Sequence, residues 1–154
     1  MKTYEAKNLA LKLMEKYEIK REGWKFAFNN RKRGLGLCSH IKRTIYLSKV
    51  YVQYNNEEEI KNTILHEIAH VLAGPLEGHS SIWRGIALNI GCNGKRLNST
   101  ATMPKGKYEY VCKNCGYISY SHRKLKRKYS CLECKKFCPN QYDRELILKY
   151  EIVN

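Results

Sequence analysis

Apolar residues recur every three or four positions in three stretches of the chain, the spacing of an amphipathic helix. The first stretch spans residues 3–17, and the second follows Asn56, a predicted helix cap, and ends before Gly74. The third begins at Ser80 or Ser81. The apolar positions that we expect to be buried are Ala6, Leu9, Leu13, Met14, Tyr17, Ile60, Ile64, Ile68, Val71, Ile82, Trp83, Ile86, Ala87 and Ile90.

Between the first two predicted helices the apolar residues alternate with polar ones, which is typical of half-buried strands. Residues 24–28 form the first such run, and the turn-forming residues 29–34 follow it. Residues 35–38 would return as a second strand, and residues 44–48 would make a third. The pattern predicts an α+β fold in which helices pack on a small antiparallel sheet.

Residues 92–107 contain Asn, Gly, Ser, Thr and Pro without periodicity, so we interpret them as a linker or a loop that lies on the surface. This divides the chain into a first module over residues 1–91 and a second over residues 108–140. The remaining residues 141–154 form a tail whose apolar positions would allow it to pack back on the first module.

Charge and hydropathy narrow the choice of partners. No apolar run approaches the roughly 20 residues of a membrane span, and the polar N-terminus lacks a signal peptide, so we expect a cytoplasmic protein without a membrane partner. The chain has 29 Lys and Arg against 14 Asp and Glu, a net charge of +15. An excess of this size favours a polyanionic partner, although a solvated basic surface is the alternative.

The second predicted helix contains the sequence His66-Glu67-Ile68-Ala69-His70. Its two histidines project about 40° apart on one helix face, so both imidazoles can reach one zinc ion. Glu67 projects beside them, where it can take a proton from a water without binding the metal itself. A catalytic zinc needs a third protein ligand. His79 is the favoured candidate, and Glu77 is the alternative on chemistry alone.

A second metal site is predicted near the C-terminus. Cys112, Cys115, Cys131 and Cys134 have the spacing of a four-cysteine zinc ribbon, in which zinc is structural because no coordination position stays open. Cys138 could replace Cys134. The two other cysteines, Cys38 and Cys92, are interpreted as small buried apolar residues.

The ribbon carries much of the excess charge. From Lys105 to Lys136 there are ten Lys and Arg and two Glu, a net charge of +8. The aromatic side chains nearby suit stacking on unpaired bases; they are Tyr117, Tyr120, His122 and Tyr129. The residues predicted to contact nucleic-acid phosphates, at the tip of the ribbon hairpin, are Arg123, Lys124, Lys126, Arg127 and Lys128. A solvated hairpin is the alternative reading.

These motifs together resemble the SprT-like, or Spartan-like, zinc metalloproteases. The resemblance runs through Trp24-Lys25-Phe26, Leu35-Gly36-Leu37-Cys38-Ser39, Ile45-Tyr46-Leu47-Ser48, His66-Glu67-Ile68-Ala69-His70 with Gly74-Pro75, and Gly78-His79-Ser80-Ser81-Ile82-Trp83. It implies a zincin-like fold, His79 as the third ligand, one catalytic and one structural zinc, and peptide hydrolysis in which Glu67 activates water. Leu76 stands six residues after His70, where a metzincin has histidine, so that class is excluded.

The resemblance also implies partners: protein substrates bound or crosslinked to DNA, with the ribbon as the DNA contact. Stacking aromatic residues suit the unpaired bases of single-stranded DNA, but the sequence does not decide between single and double strands. The alternative is a nucleic-acid-binding adaptor whose zincin site is vestigial or only structural. Such an adaptor would be expected to lack Glu67 or a third ligand, and neither is missing. Nothing in the sequence specifies the oligomeric state or the protein that is cleaved.

Overall fold

The computed structural model describes residues 1–98, 100–112, 114–126 and 130–137. The chain divides into two compact units, Met1–Pro104 and Lys105–Asn154. The elements of the first unit are α1 (Thr3–Lys16), β1 (Lys25–Asn29), β2 (Gly36–Ser39), β3 (Thr44–Ser48), α2 (Lys49–Tyr54), α3 (Glu57–Ala73) and α4 (Ser81–Asn89). The second unit contains β4 (Tyr108–Val111), β5 (Ile118–Ser121) and α5 (Leu132–Phe137). This mixture of helices and small sheets confirms the α+β class.

The sheet of the first unit has the strand order β1-β3-β2. Strand β3 pairs antiparallel with β2 but parallel with β1, so the prediction of an antiparallel sheet is wrong for one of the two pairings. Strand β3 occupies the centre because it is the most buried of the three, with Ile45 and Leu47 almost inaccessible. A parallel pair cannot be joined by a tight turn, so the chain forms β2 at the edge before it turns back into β3.

Helix α3 has a central position in the first unit, where it packs against α1, α4 and strand β2. The Asn56 side chain caps it by accepting a hydrogen bond from the backbone N–H of Glu59 at 2.9 Å. Gly74 ends it with a φ of +95°, which favours glycine. Ile60, Ile64 and Ile68 are fully buried, as their spacing predicts. That stripe fixes which face of α3 remains open.

Two helical features differ from the sequence prediction. In α4, Trp83 and Ala87 are buried, but Ile82 is 57% exposed. Consecutive residues of a helix point about 100° apart, so Trp83 and its neighbour cannot both face the core. Helix α2 was not predicted. It follows β3 directly because the Ser48 side chain accepts a hydrogen bond from the backbone N–H of Tyr51 and caps a new helix there.

Residues 92–104, most of the predicted linker, belong to the first unit, and Asn93, Asn98 and Thr100 among them bond to α3; we call this segment the strap. The polar residues on which the prediction of a linker was based form specific hydrogen bonds. The hydrogen bonds that anchor it join Asn62 to Asn93, Glu59 to Asn98 and Thr100, and Asn55 to Thr102. The boundary between the units therefore follows Pro104.

In the second unit, β4 and β5 form an antiparallel pair, and β4 ends directly before Cys112. Tyr110 is 2% exposed, and its hydroxyl accepts a hydrogen bond from the backbone N–H of Leu125. Cys138 and the predicted tail, residues 141–154, lie outside the described residues. Within the described part of the chain, no helix combines the length and the apolar character needed to cross a membrane.

Candidate metal centre

Three histidines of the first unit point one ring nitrogen each at a common point. The Nε2 atoms of His66 and His70 are 3.3 Å apart, and the Nε2 atom of His79 lies 3.0 Å from the first and 3.2 Å from the second. Nitrogens bound tetrahedrally at ~2.0–2.1 Å to one zinc ion would be roughly 3.3 Å apart. The three side chains therefore fit a shared ion.

Backbone conformation explains how His79 reaches the two helical histidines. The chain leaves α3 at Gly74 and reverses through Gly78, which has a φ of +53°. The Ser80 side chain then caps α4 by accepting a hydrogen bond from the backbone N–H of Trp83. The alternative ligand Glu77 accepts a hydrogen bond from the Ser80 hydroxyl at 2.6 Å, and the group of potential ligands contains His79 instead.

Trp83 forms the base of the centre, a role that the sequence pattern assigned only to the core. Its ring centroid lies 4.7, 5.2 and 4.6 Å from those of His66, His70 and His79. The indole is 1% exposed, so it limits the positions that the three imidazoles can adopt. Its place, three residues beyond the Ser80 cap, is the sequence signal that could have indicated this role.

The electrostatics of the centre favour neutral imidazoles. Burial, and then the neighbouring histidines, lower the pKa of His66 and of His70 to about 4. Burial and then the positive charge of Arg96 lower the pKa of His79 as well. A neutral imidazole offers the lone pair that a metal needs, so at neutral pH the three rings are ready to bind without first losing a proton.

The strap orients one of the ligands. The backbone carbonyl of Lys95 accepts a hydrogen bond from the His66 imidazole, whose Nε2 atom faces the other two histidines. Hydrogen bonds of this kind fix the orientation of metal-binding histidines. The strap is held in turn by Asn98 and Thr100, which donate to the Glu59 carboxylate. Glu59 is thus connected to the centre through the strap.

Replacing Glu59 with alanine should weaken metal binding although the side chain does not contact the histidines. We expect Glu59→Ala to loosen the strap and to lower zinc affinity by about tenfold, measured by competition with a chromophoric chelator. The control is Glu58→Ala, because Glu58 is exposed and shares the first turn of α3. Both variants lose a helix-dipole interaction, but only Glu59 bonds to the strap. Equal affinities would contradict the prediction.

Glu67 lies beside the histidine centre and is buried, with 7% of its surface exposed. Burial raises the pKa of its carboxyl to about 8, and the backbone N–H of Cys38 partly opposes this by donating a hydrogen bond. Gly36 makes room for the side chain. A Cβ atom at that position would lie 2.5 Å from Glu67 Oε1 and 2.8 Å from its Cγ.

A cleft of about 800 Å³ opens over the histidines and Glu67. One wall is strand β2, which is an edge strand of the sheet, and another is the strap. The residues that line the cleft include three leucines and three basic residues, namely Leu35, Leu37, Leu97, Arg33, Lys95 and Arg96. The histidine centre is thus accessible to a ligand that is several side chains long.

The four predicted cysteines of the second unit form a second group of potential metal ligands. The Sγ atoms of Cys112 and Cys134 are 3.7 Å apart, and those of Cys115 and Cys131 are 3.6 Å apart. Sulfurs that share a tetrahedral zinc at ~2.3 Å would be roughly 3.8 Å apart, whereas a disulfide needs ~2.05 Å. The cysteine cluster therefore fits a metal and not a pair of disulfides.

Local backbone structure favours a thiolate at Cys112, although neighbouring thiols raise the pKa of Cys115. Burial opposes ionisation of Cys112, but the backbone N–H groups of Cys115 and Asn114 donate hydrogen bonds to its sulfur, and the pKa of the thiol falls to about 7. The turn is closed by a hydrogen bond from the backbone N–H of Gly116 to the Cys112 carbonyl. Cys134 belongs to this cluster, and Cys138, the alternative to it, lies outside the described residues.

The basic residues of the second unit are exposed where the structure describes them. Arg123, Lys124 and Lys126 follow β5 with exposed side chains, whereas Arg127, Lys128 and Tyr129 lie outside the described residues. Two further lysines lie over tyrosine rings: Lys105 is 4.8 Å from the centroid of Tyr120, and Lys107 is 4.9 Å from that of Tyr108. Cations and aromatic rings are thus adjacent on this unit.

Comparisons with known proteins agree on one family. A model described as the SprT-like family matches residues 6–103, which include the three histidines, Glu67 and nearly all of the strap. Protein SprT of Vibrio parahaemolyticus serotype O3:K6 (strain RIMD 2210633) is 29% identical over 124 residues, covering 70% of this chain and 72% of that protein.

Proposed function

The chain belongs to the SprT-like family, and on that premise we propose that it is a zinc-dependent metallopeptidase with a zincin-like fold that acts on DNA-associated or DNA-crosslinked proteins. One observation carries the proposal. Three neutral imidazoles converge on a point beside a buried carboxylate, at the floor of an open cleft. Three protein ligands with a fourth position open to solvent are the arrangement of catalytic zinc sites.

His66, His70 and His79 would hold the zinc ion. When bound there, zinc supplies Lewis acidity and brings the pKa of a water close to neutrality. Glu67 contributes the proton transfer: its carboxyl takes a proton from the attacking water and returns it to the leaving amine. Burial raises the pKa of this carboxyl in the metal-free chain, so the group holds a proton more readily than an exposed glutamate, which suits its return to the amine.

Gly36→Ala should reduce peptide cleavage without removing a catalytic group. The new methyl group would overlap the Glu67 carboxyl and push it away from its place beside Cys38. Since a displacement of about 1 Å can cost a hundredfold in rate, we expect kcat to fall by roughly ten- to a hundredfold. The measurement is peptide cleavage by the zinc-loaded variant.

Gly34→Ala is the matched control for this substitution. A Cβ atom there would be 3.6 Å from the nearest atom, the Cδ of Arg31, which is an ordinary contact. Neither Gly34 nor Gly36 has the positive φ that only glycine adopts easily. Zinc content should be unchanged in both variants. A Gly36→Ala enzyme with the activity of the Gly34→Ala enzyme would show that Glu67 does not act from this position.

Metal stoichiometry tests the assignment of the two ligand sets. We expect two zinc ions per chain, and one in the Cys134→Ser variant, because a structural zinc site depends on all four thiolates. Cys38→Ser is the control: Cys38 is half-buried, and burial raises the pKa of its thiol to about 12, so it is a poor ligand. A Cys134→Ser protein that kept two ions would assign the fourth position to another residue, with Cys138 the first candidate.

The nucleic-acid part of the proposal rests on the second unit. Its described surface exposes Arg123, Lys124 and Lys126, and tyrosine rings lie under Lys105 and Lys107. Such a combination suits the phosphates and unpaired bases of single-stranded DNA. The deciding experiment is cleavage of DNA-binding proteins with and without single-stranded DNA and a chelator. Cleavage that needs zinc supports the enzyme, and its absence under all conditions favours the DNA-binding adaptor.

A further inference from the structure

One histidine that lines the cleft, His40, has no role in the proposed reaction. It borders the same space as His66, His70 and His79, yet it is not in the group of side chains that could share a metal ion. Its ring contacts Trp24, and among the described residues neither ring nitrogen has a hydrogen-bond partner. An imidazole carries at least one N–H group, so His40 has a donor available to a ligand of the cleft.

The position of His40 follows from strand β2. Side chains alternate between the two faces of a strand, so Gly36, Cys38 and His40 share one face. Gly36 lies against the Glu67 side chain, and the backbone N–H of Cys38 donates a hydrogen bond to the Glu67 carboxyl. His40 comes directly after β2, and its charge acts on His70, which is one turn further along α3 than Glu67. The face of β2 that meets Glu67 thus continues towards the metal centre.

Two contacts restrict the orientation of the His40 imidazole. Its ring meets that of Trp24 edge to face, with the centroids 5.2 Å apart and the planes at 89°. Trp24 is 8% exposed and belongs to the core, so it offers a fixed surface. The His40 carbonyl accepts a hydrogen bond from the backbone N–H of Arg43, which closes the turn between β2 and β3. A ring held in this way needs little reorganisation before it donates a hydrogen bond.

We propose that His40 is a catalytic residue that donates a hydrogen bond to the carbonyl oxygen of the peptide bond being cleaved. The inference rests on the proposed function, since it takes a peptide to be the substrate. As the water oxygen bonds to the carbonyl carbon, the π electron pair moves to the carbonyl oxygen and Glu67 takes a proton of the water. A preorganised N–H donor stabilises the negative charge that develops on that oxygen.

His40 keeps its own proton throughout this reaction. When the carbonyl double bond forms again, the C–N bond breaks, its electron pair leaves with the amine nitrogen, and Glu67 returns the proton to that nitrogen. Glu67 therefore carries out both proton transfers, and His40 acts only on the developing charge. Loss of the donor should consequently slow the reaction and change the affinity for an unreacted peptide little.

The test compares three variants of the full zinc-loaded chain. His40→Phe keeps an aromatic ring against Trp24 but has no N–H group. We expect kcat for peptide cleavage to fall by roughly a hundredfold, with KM and zinc content nearly unchanged. His40→Gln should recover part of this loss, because its amide can donate. Ile41→Ala is the control and should keep its activity, since Ile41 is 99% exposed in the same turn and does not line the cleft.

Binding of a tetrahedral mimic gives a readout that does not depend on turnover. A peptide with a phosphonate in place of the cleaved bond carries charged oxygens where the carbonyl oxygen would be. In His40→Phe its affinity should fall by about the factor by which kcat/KM falls. Affinity for the parent peptide, measured in chains that also carry Glu67→Gln, should change little. Fluorescence anisotropy measures both affinities.

Equal cleavage rates for His40→Phe and Ile41→Ala would overturn the inference and leave His40 as a packing partner of Trp24. A fall in zinc affinity that accounted for the lost activity would overturn it too, because His40 would then act through His70. If the unsubstituted chain cleaved no peptide, the proposed function would fail, and the mimic would still decide the role of His40. A loss of affinity specific to the mimic supports the donor, whereas equal losses for mimic and parent peptide contradict it.

Discussion

Glu67→Gln should bind zinc as the unsubstituted chain does and lose at least a hundredfold in kcat/KM for any peptide that is cleaved. Glutamine keeps the volume of the side chain but cannot take a proton, and loss of a general base typically costs 10²–10⁴-fold. The proposed metal ligands His66, His70 and His79 are untouched by the change. Peptide cleavage and metal analysis of the same preparation give the two readouts.

The same variant should be more stable than the unsubstituted chain when both are free of metal. Burial raises the pKa of Glu67 to about 8 from an ordinary 4.5, so the folded state holds this proton more tightly than the unfolded state does. The stability that the protonated carboxyl contributes is complete below pH 4.5 and is lost as pH rises to 8. At neutral pH the loss is on the order of 3 kcal/mol.

Thermal unfolding of the metal-free proteins as a function of pH checks this expectation. The advantage of Glu67→Gln should be small below pH 4.5 and should grow across the window up to pH 8. Glu58→Gln, at an exposed position on the same helix, should show no such growth. A Glu67→Gln protein that still cleaved peptides would exclude Glu67 as the general base. A constant difference in stability across the window would show that the carboxyl is not buried in solution.

The helical part of the site follows closely from the sequence. Ile60, Ile64 and Ile68 fix the buried face of α3, and helical geometry then leaves His66 and His70 on the face towards the cleft. These relations are local, because they depend only on residues within a few turns of one helix. The caps at Asn56 and Ser80 are local for the same reason.

The parts that the sequence pattern missed depend on distant contacts. Which strand takes the centre of the sheet is decided by burial against the helices, so alternation within residues 24–48 could not give the parallel pairing of β1 with β3. The strap has the polar composition that is typical of a linker, but its polar groups bond to α3 and to its own backbone. Composition alone does not show these contacts. The bond from the Lys95 carbonyl to His66 spans 29 positions of sequence and has no periodic signal.

Replacing Arg123, Lys124 and Lys126 with glutamate should strongly weaken the binding of DNA. Affinity for DNA falls as salt rises, and each phosphate contact contributes roughly 0.7 to the steepness of this fall on a log–log plot for a single strand. Loss of three contacts should therefore make the slope shallower by about 2. At low salt, affinity for single-stranded DNA should fall by roughly a hundredfold or more, because the new carboxylates also repel phosphates. Fluorescence titrations at several salt concentrations measure both quantities.

Three further measurements distinguish an effect of these charges on DNA binding from an effect on folding or on catalysis in the first unit. The zinc of the cysteine cluster should remain bound, since the three residues lie beyond β5 and are not among its ligands. Cleavage of a free peptide should be unaffected, while cleavage stimulated by DNA should be lost. Reversal at Lys7, Lys12 and Lys61 changes net charge equally and should reduce affinity far less. If both variants gave the same salt slope, binding would follow the net charge of +15 and not the arrangement of cations on the second unit.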